Sequence, residues 1–146
     1  MIYKLIISIV FCSLIISSLA ADDTKCLNCI CQHESGCKPI GCVDGNPIKC
    51  GYFKISFQFY ISCGTPGRKR KENIETAWKR CSGNYKCSVT CVKEYIKRNS
   101  IGNCSPRMSS CEKISRIFRQ GSTGCISTSR DTISFVTQIS LCFNGK

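Results

Sequence analysis

Histidine is almost missing from this sequence, and acid is scarce. A single histidine, His33, stands among 146 residues, and nine Asp and Glu face 21 Lys and Arg. One histidine cannot build a multi-histidine metal centre. His33 adjoins Glu34 in the chain but lies about 100° round a helix from it, so it reads as a surface residue. Apolar runs are short as well. After residue 16 nothing approaches the roughly 20 apolar residues that a membrane-spanning helix needs. Tryptophan occurs once, and no aromatic-rich basic stripe or nucleic-acid motif accompanies the positive charge. Neither an internal repeat nor a second domain is visible. Metal, cofactor, nucleic acid and transmembrane anchor are therefore not expected.

Cysteine, by contrast, is abundant, with fifteen in the chain. Residues 1–20 read as a secretory signal. Lys4 is its only charge, Leu5 to Ile16 is apolar, and Ser18-Leu19-Ala20 offers small residues for cleavage. Cys12 leaves with that segment. Fourteen cysteines then remain, an even number suited to seven bridges in an oxidising compartment. Cys26-x-x-Cys29 is thus better read as disulfide framework than as half a zinc site. Loss of Lys4 leaves 20 basic against nine acidic residues, a net charge of +11. The expected product is one secreted domain, residues 21–146, seeking anionic surfaces: bacterial wall polymers, anionic lipid or nucleic acid, among which charge alone does not choose.

Residues 26–67 hold seven of the cysteines and only two acids, Glu34 and Asp44. Asp23 or Thr24 can cap a helix that places Leu27, Ile30, Cys31 and Glu34 on one face, and Gly36 can stop it. Glu34 then lies on the apolar side, where burial favours the protonated acid. Asp44 falls in the turn signal Val43-Asp44-Gly45-Asn46-Pro47, where a carboxylate stays solvated. Two carboxyls with different surroundings are what glycoside hydrolysis requires. An Asp before Gly can equally be a plain turn residue, and a Glu near a helix end a solvated charge.

From Tyr52 to Ile61 the chain alternates, with Phe53, Ile55, Phe57, Phe59 and Ile61 on one side. Periodicity predicts one long strand there. Gly64 to Lys71 reads as a loop whose four cations, Arg68-Lys69-Arg70-Lys71, suit a processing site, a wall-binding patch or a solvated surface. Helices are expected over Glu72–Arg80, with Trp78 inward, over about Lys86–Arg98, and over about Arg107–Arg119. Tyr95 can border a cleft or pack in the core. Asn103 heads the single glycosylation sequon, with Cys104 at its middle position. Gly121–Lys146 is rich in Ser and Thr and is expected to wrap the domain, pinned through Cys142.

The run C-L-x-C-I-C-x-x-E-S-G-C-x-x-x-G-C (Cys26 to Cys42), then Asp44, Cys50-Gly51-Tyr52-Phe53-x-Ile55 and Cys63-Gly64-x-Pro66-Gly67, resembles the invertebrate-type lysozymes, the family that includes destabilase. Trp78-Lys79-Arg80-Cys81, Cys87, Cys91-Val92 and Tyr95 continue the match, which weakens after Cys104. The resemblance implies a small, mostly helical α+β domain with a short β-hairpin. It implies a short strand through Ile55 followed by a helix carrying Phe59 and Tyr60, against the periodicity. It also implies the bridges Cys31–Cys37, Cys42–Cys50, Cys63–Cys91, Cys81–Cys87, Cys104–Cys125, Cys26–Cys111 and Cys29–Cys142.

By the same resemblance Glu34 is the general acid and Asp44 the second carboxylate of a retaining lysozyme. Substrate contacts are expected from Lys54, Ile55, Ser56, Phe57, Gln58, Phe59 and Tyr60, and from Tyr95, Phe118, Arg119 and Gln120. The substrate would be peptidoglycan, cut between N-acetylmuramic acid and N-acetylglucosamine by a monomer. The competing expectation is a cationic antimicrobial or wall-binding protein on the same scaffold. Some members of the family also cleave isopeptide bonds with a serine, a lysine and a histidine. Pro47, Lys49, Ser56 and Phe118 stand at the matching positions, so that activity is not expected. Lys49 and Lys54 are further departures, adding positive charge beside the two carboxyls.

Overall fold

A computed structural model describes residues 21–100 and 104–145. The expected signal segment, residues 1–20, and Asn103 of the sequon lie outside the described residues. The first helix, α1, covers residues 21–35. Asp23 does not cap it, because the chain is already helical at residue 21; its carboxylate instead accepts a hydrogen bond from Ser110 Oγ at 2.6 Å. The predicted inner face is correct, with Leu27, Ile30, Cys31 and Glu34 all buried. Gly36 ends the helix in a left-handed conformation (φ 65°), its N–H donating to Gln32 O at 2.9 Å.

Three two-residue strands follow, β1 (Cys42–Val43), β2 (Lys49–Cys50) and β3 (Ile55–Ser56), antiparallel in that order. Cys42 pairs with Cys50 across β1 and β2, and the same two residues form a disulfide. Gly51 (φ 74°) turns the chain beneath residue 82, where any Cβ would strike the Ser82 carbonyl. Ser56 then caps α2 (Phe57–Ser62), accepting from Phe59 N–H at 3.2 Å. The single strand that alternation predicts over Tyr52–Ile61 is therefore not formed. Tyr60, on the predicted polar side, is fully buried, and Ile61, on the apolar side, is 38% exposed.

Helices α3 (Ile74–Ser82) and α4 (Tyr85–Asn99) begin at side-chain caps from Asn73 and Asn84. Glu72 is thus outside the helix expected from it, because Asn73 supplies the cap. Helix α5 (Ser110–Gln120) is capped by Ser109 and runs into a 3-10 turn over Gly121–Ile126. The tail, expected to wrap the domain pinned through Cys142, bonds Cys29 through that residue and holds a further helix, α6 (Arg130–Phe143). Ser129 caps it, and Thr132, Phe135 and Ile139 turn inward at helical spacing.

The core gathers Ile30, Phe53, Ile55, Tyr60, Trp78, Val92, Phe118, Phe135 and Ile139 around half-cystines. Trp78 is buried as expected and donates from Nε1 to Ile55 O at 2.9 Å, which holds β3 in place. The seven disulfides pair as the resemblance implies. Cys26–Cys111 and Cys29–Cys142 tie α1 to α5 and α6. Each bridge limits the unfolded chain, typically by about 2–4 kcal/mol.

Candidate active site

Two adjoining recesses share four residues: Glu34, Lys49, Lys54 and Arg119. One arm continues along Ser56, Gln58, Phe59, Ser62, Tyr95 and Phe118. The other continues along His33, Val43, Asp44, Gly45, Asn46 and Pro47. The candidate carboxyls therefore meet in one recess, Glu34 at the junction and Asp44 on the hairpin tip. Their surroundings differ, as expected: Glu34 is 8% exposed, whereas Asp44 is exposed.

The positions have local causes. Glu34 occupies the last turn of α1 on its inward face. The next residue, Ser35, donates from Oγ to Tyr52 O at 2.6 Å and accepts from Lys38 N–H at 3.2 Å. That links the helix end to the turn carrying Lys54. Lys54 itself adopts φ 47°, and its N–H closes a tight turn onto Gly51 O at 3.2 Å. Lys49 sits on β2 opposite Ser56 of β3, so both project from one short ladder.

Around Glu34 the closest basic nitrogens are Arg119 Nη1 and His33 Nδ1, each 3.9 Å from Oε1. His33 is exposed, but it packs edge-on against Phe135 with ring centroids 5.0 Å apart. Arg119 is held from behind. Its Nε and Nη2 donate to Asp131 at 2.7 and 2.6 Å, and its guanidinium lies 5.2 Å above the Phe135 ring centroid. These hydrogen bonds hold the Asp131 carboxyl below its ordinary range and the guanidinium above its own. Asp131 and Phe135 were missed in the sequence because α6 was missed. Ser129-x-x-Thr132 followed by apolar residues at helical spacing was the available signal.

The other expected contacts divide. Tyr95 does both of the things left open for it: it stacks on Phe59 at 3.8 Å between centroids and lines the recess. Burial raises its phenol above the usual range. Phe118 lines the same arm and packs on Phe135 at 5.8 Å. Ile55 and Tyr60 are core residues, Tyr60 donating its hydroxyl to Pro66 O at 3.0 Å. Phe57 faces a separate hollow with Pro47, Ile48 and Trp78, which Gln58 also borders. Gln120 is exposed and lines neither arm of the recess. No cluster of three metal-ligating side chains occurs among the described residues.

A small disulfide-dense α+β domain, with a buried Glu and an exposed hairpin Asp flanking one cleft, defines a protein of the lysozyme kind. The destabilase family profile matches residues 23–142. Invertebrate-type lysozyme 2 of Caenorhabditis elegans is 40% identical over 119 residues, spanning 81% of this chain and 84% of the relative. The invertebrate-type lysozyme of Ruditapes philippinarum is 42% identical over 106 residues, 71% of each. Among solved structures, Tapes japonica lysozyme aligns with a TM-score of 0.64 at 38% identity, covering 79% of this chain and 85% of that one. The chain belongs to the destabilase family of invertebrate-type lysozymes.

Proposed function

We propose that the protein is a secreted lysozyme that hydrolyses the β-1,4 bond between N-acetylmuramic acid and N-acetylglucosamine in peptidoglycan. The observation that carries this reading is the shared recess: a buried Glu34 on a helix end and a solvated Asp44 on a hairpin, in a chain of the lysozyme family. Seven disulfides suit an oxidising, extracellular compartment.

Glu34 gives its proton to the glycosidic oxygen as the bond to the anomeric carbon breaks. Asp44 faces the positive charge that develops on that carbon and closes on it as nucleophile or holds it as an ion pair. Water then attacks the same carbon, Glu34 taking back a proton, and the product keeps its anomeric configuration. Ser56, Gln58 and Ser62 offer hydrogen bonds to sugar hydroxyls and acetamides. Phe59, Tyr95 and Phe118 offer apolar faces to the rings. Net positive charge carries the enzyme onto anionic wall polymers.

Peptidoglycan turnover by wild type and Glu34→Gln tests the reading. The variant keeps the side chain's shape and loses the transferable proton, so turnover falls by about 10²–10⁴-fold. Adhesion to walls, which needs only summed charge, stays near wild type. Equal lysis by both proteins would leave a charge-driven binder and no glycosidase.

A further inference from the structure

Four residues are common to both arms of the cleft, and three of them are cations. Arg119 is already engaged, both oxygens of Asp131 being bound to its guanidinium. Lys49 and Lys54 are not: both are half-buried, and neither makes an ion pair among the described residues. Lys49 does influence Asp131 through space, but Arg119 dominates that carboxylate. Two lysines without an ion-pair partner thus line the point where the two arms meet, beside the acid. A lysine on a cleft wall can bury its stem and still keep its ammonium available to an anionic group that enters. Lys54 is also held at a left-handed backbone angle that a non-glycine residue seldom adopts, with its N–H committed to Gly51 O. Such strain persists where the surrounding structure imposes it, often at ligand sites.

We propose that Lys49 and Lys54 form a carboxylate-binding subsite that selects muramyl-containing glycan over neutral N-acetylglucosamine polymer. The proposal rests on the lysozyme reading of the cleft and names which sugars it accepts. The two glycans share their β-1,4 backbone and acetamides, so hydroxyl and amide contacts from Ser56 and Gln58 cannot tell them apart. A muramyl sugar adds a lactyl ether on its ring. Peptide-free glycan exposes the lactyl carboxylate itself, whereas peptide-bearing glycan carries carboxylates farther out, on the stem. Either source puts negative charge on the muramyl substituent, which the neutral polymer lacks. Asp44 repels that charge, Arg119 is balanced by Asp131, and the two lysines remain to receive it. A compact, flexible ammonium suits a carboxylate whose position changes between the two sources.

Selectivity is read as the ratio of kcat/KM on a carboxylate-bearing oligomer to kcat/KM on an N-acetylglucosamine oligomer of equal length. The muramyl arms are peptide-free glycan, the same glycan with its lactyl carboxyl converted to a methylamide, and peptide-bearing glycan. In Lys49→Gln/Lys54→Gln the ratio falls about tenfold, as expected for two charge-assisted contacts. Lys49→Arg/Lys54→Arg keeps most of it, and salt erodes it in wild type but not in the Gln pair. Loss confined to the peptide-free arm assigns the lactyl carboxylate; loss confined to the peptide-bearing arm assigns the stem. NMR titration of Glu34→Gln with the same oligomers gives the affinities without turnover, so the subsite can be judged even where no cleavage occurs. Thermal melting checks that each variant folds. A ratio and an affinity difference unchanged in a folded Gln pair on both the peptide-free and the peptide-bearing arm overturn the proposal, as does lysine-dependent selectivity on the peptide-free arm that survives methylamidation.

Discussion

Arg119 binds both oxygens of Asp131, at 2.6 and 2.7 Å, and this fork leaves its remaining Nη1 3.9 Å from Glu34 Oε1. The pair spans α5 and α6, the two helices behind the cleft. In the proposed reaction, a guanidinium in that place would stand next to the charge left on Glu34 by loss of its proton. Phe135 lies under the guanidinium, and His33 lies against the edge of the same ring.

Breaking the fork should therefore affect activity more than stability. Asp131 is largely exposed, and exposed ion pairs contribute only about 0.2–1 kcal/mol. Asp131→Asn is expected to lower the melting temperature by a few degrees at most. Peptidoglycan turnover is expected to fall severalfold in kcat, with Arg119→Gln falling further. Unchanged kcat in both variants would reduce Arg119 to a surface brace.

How far the sequence reveals this site depends on which residues carry it. Glu34 is legible because Leu27, Ile30 and Cys31 define a helical face that includes it. Asp44 is legible as a turn residue. The bridges emerge only through the family resemblance, because spacing alone leaves the pairing open. Alternation over Tyr52–Ile61 misleads because a two-residue strand is followed by a helix capped by Ser56, and period alone cannot show that cap. Helix α6 is hidden for a different reason. Its buried Thr132 accepts hydrogen bonds from Ser127 Oγ and Ser129 Oγ, so hydroxyls that a Ser/Thr-rich stretch would place in water are satisfied within the fold. With α6 unseen, its Asp131 could not be matched to Arg119.

Glu72 organises the basic loop and should register in acid. Its carboxylate accepts the Lys69 N–H at 2.8 Å and a two-pronged contact from Arg80 at 2.8 and 3.0 Å. The Arg80 hydrogen bonds, first among the causes, lower its pKa to about 2 from an ordinary 4.5. A depressed carboxyl stabilises the fold above its unfolded pKa, and that contribution fades as pH falls toward the folded one. The melting-temperature gap between wild type and Glu72→Gln should thus be full at pH 6 and close between about pH 4.5 and 2. A gap independent of pH over that window would show that Glu72 acts through packing alone.

Isopeptide cleavage is expected to be absent. It needs an activated nucleophile with a base in reach; here the serine and lysine positions are exchanged, Ser56 opposing Lys49 across the ladder with its Oγ engaged as the α2 cap, while Pro47 and Phe118 supply neither group. Phe118 is buried against Phe53, Phe59 and Phe135, where it has no proton to exchange. Incubation with a γ-glutamyl-ε-lysine substrate should release no lysine above a buffer control. Release that scales with protein concentration and survives Glu34→Gln would reveal a second catalytic set.

The stereochemical outcome follows from the size of the gap between the two carboxyls. A retaining hydrolase needs its second carboxylate against the anomeric carbon, with carboxyls about 5–5.5 Å apart; an inverting one leaves roughly 6.5–9.5 Å for a water. Glu34 is fixed on a helix end clamped by the Cys31–Cys37 bridge and by Ser35 on Tyr52. Asp44 is exposed on a hairpin tip that the Cys42–Cys50 bridge closes. With sugar bound in the shared recess the two carboxyls are expected at the shorter distance. Proton NMR of the first product should then show the β-anomer before mutarotation. Asp44→Asn should cut kcat by orders of magnitude while leaving affinity for an oligosaccharide near wild type. An α-anomer formed first, or carboxyls more than about 9 Å apart in a substrate complex, would assign Asp44 to activating water instead.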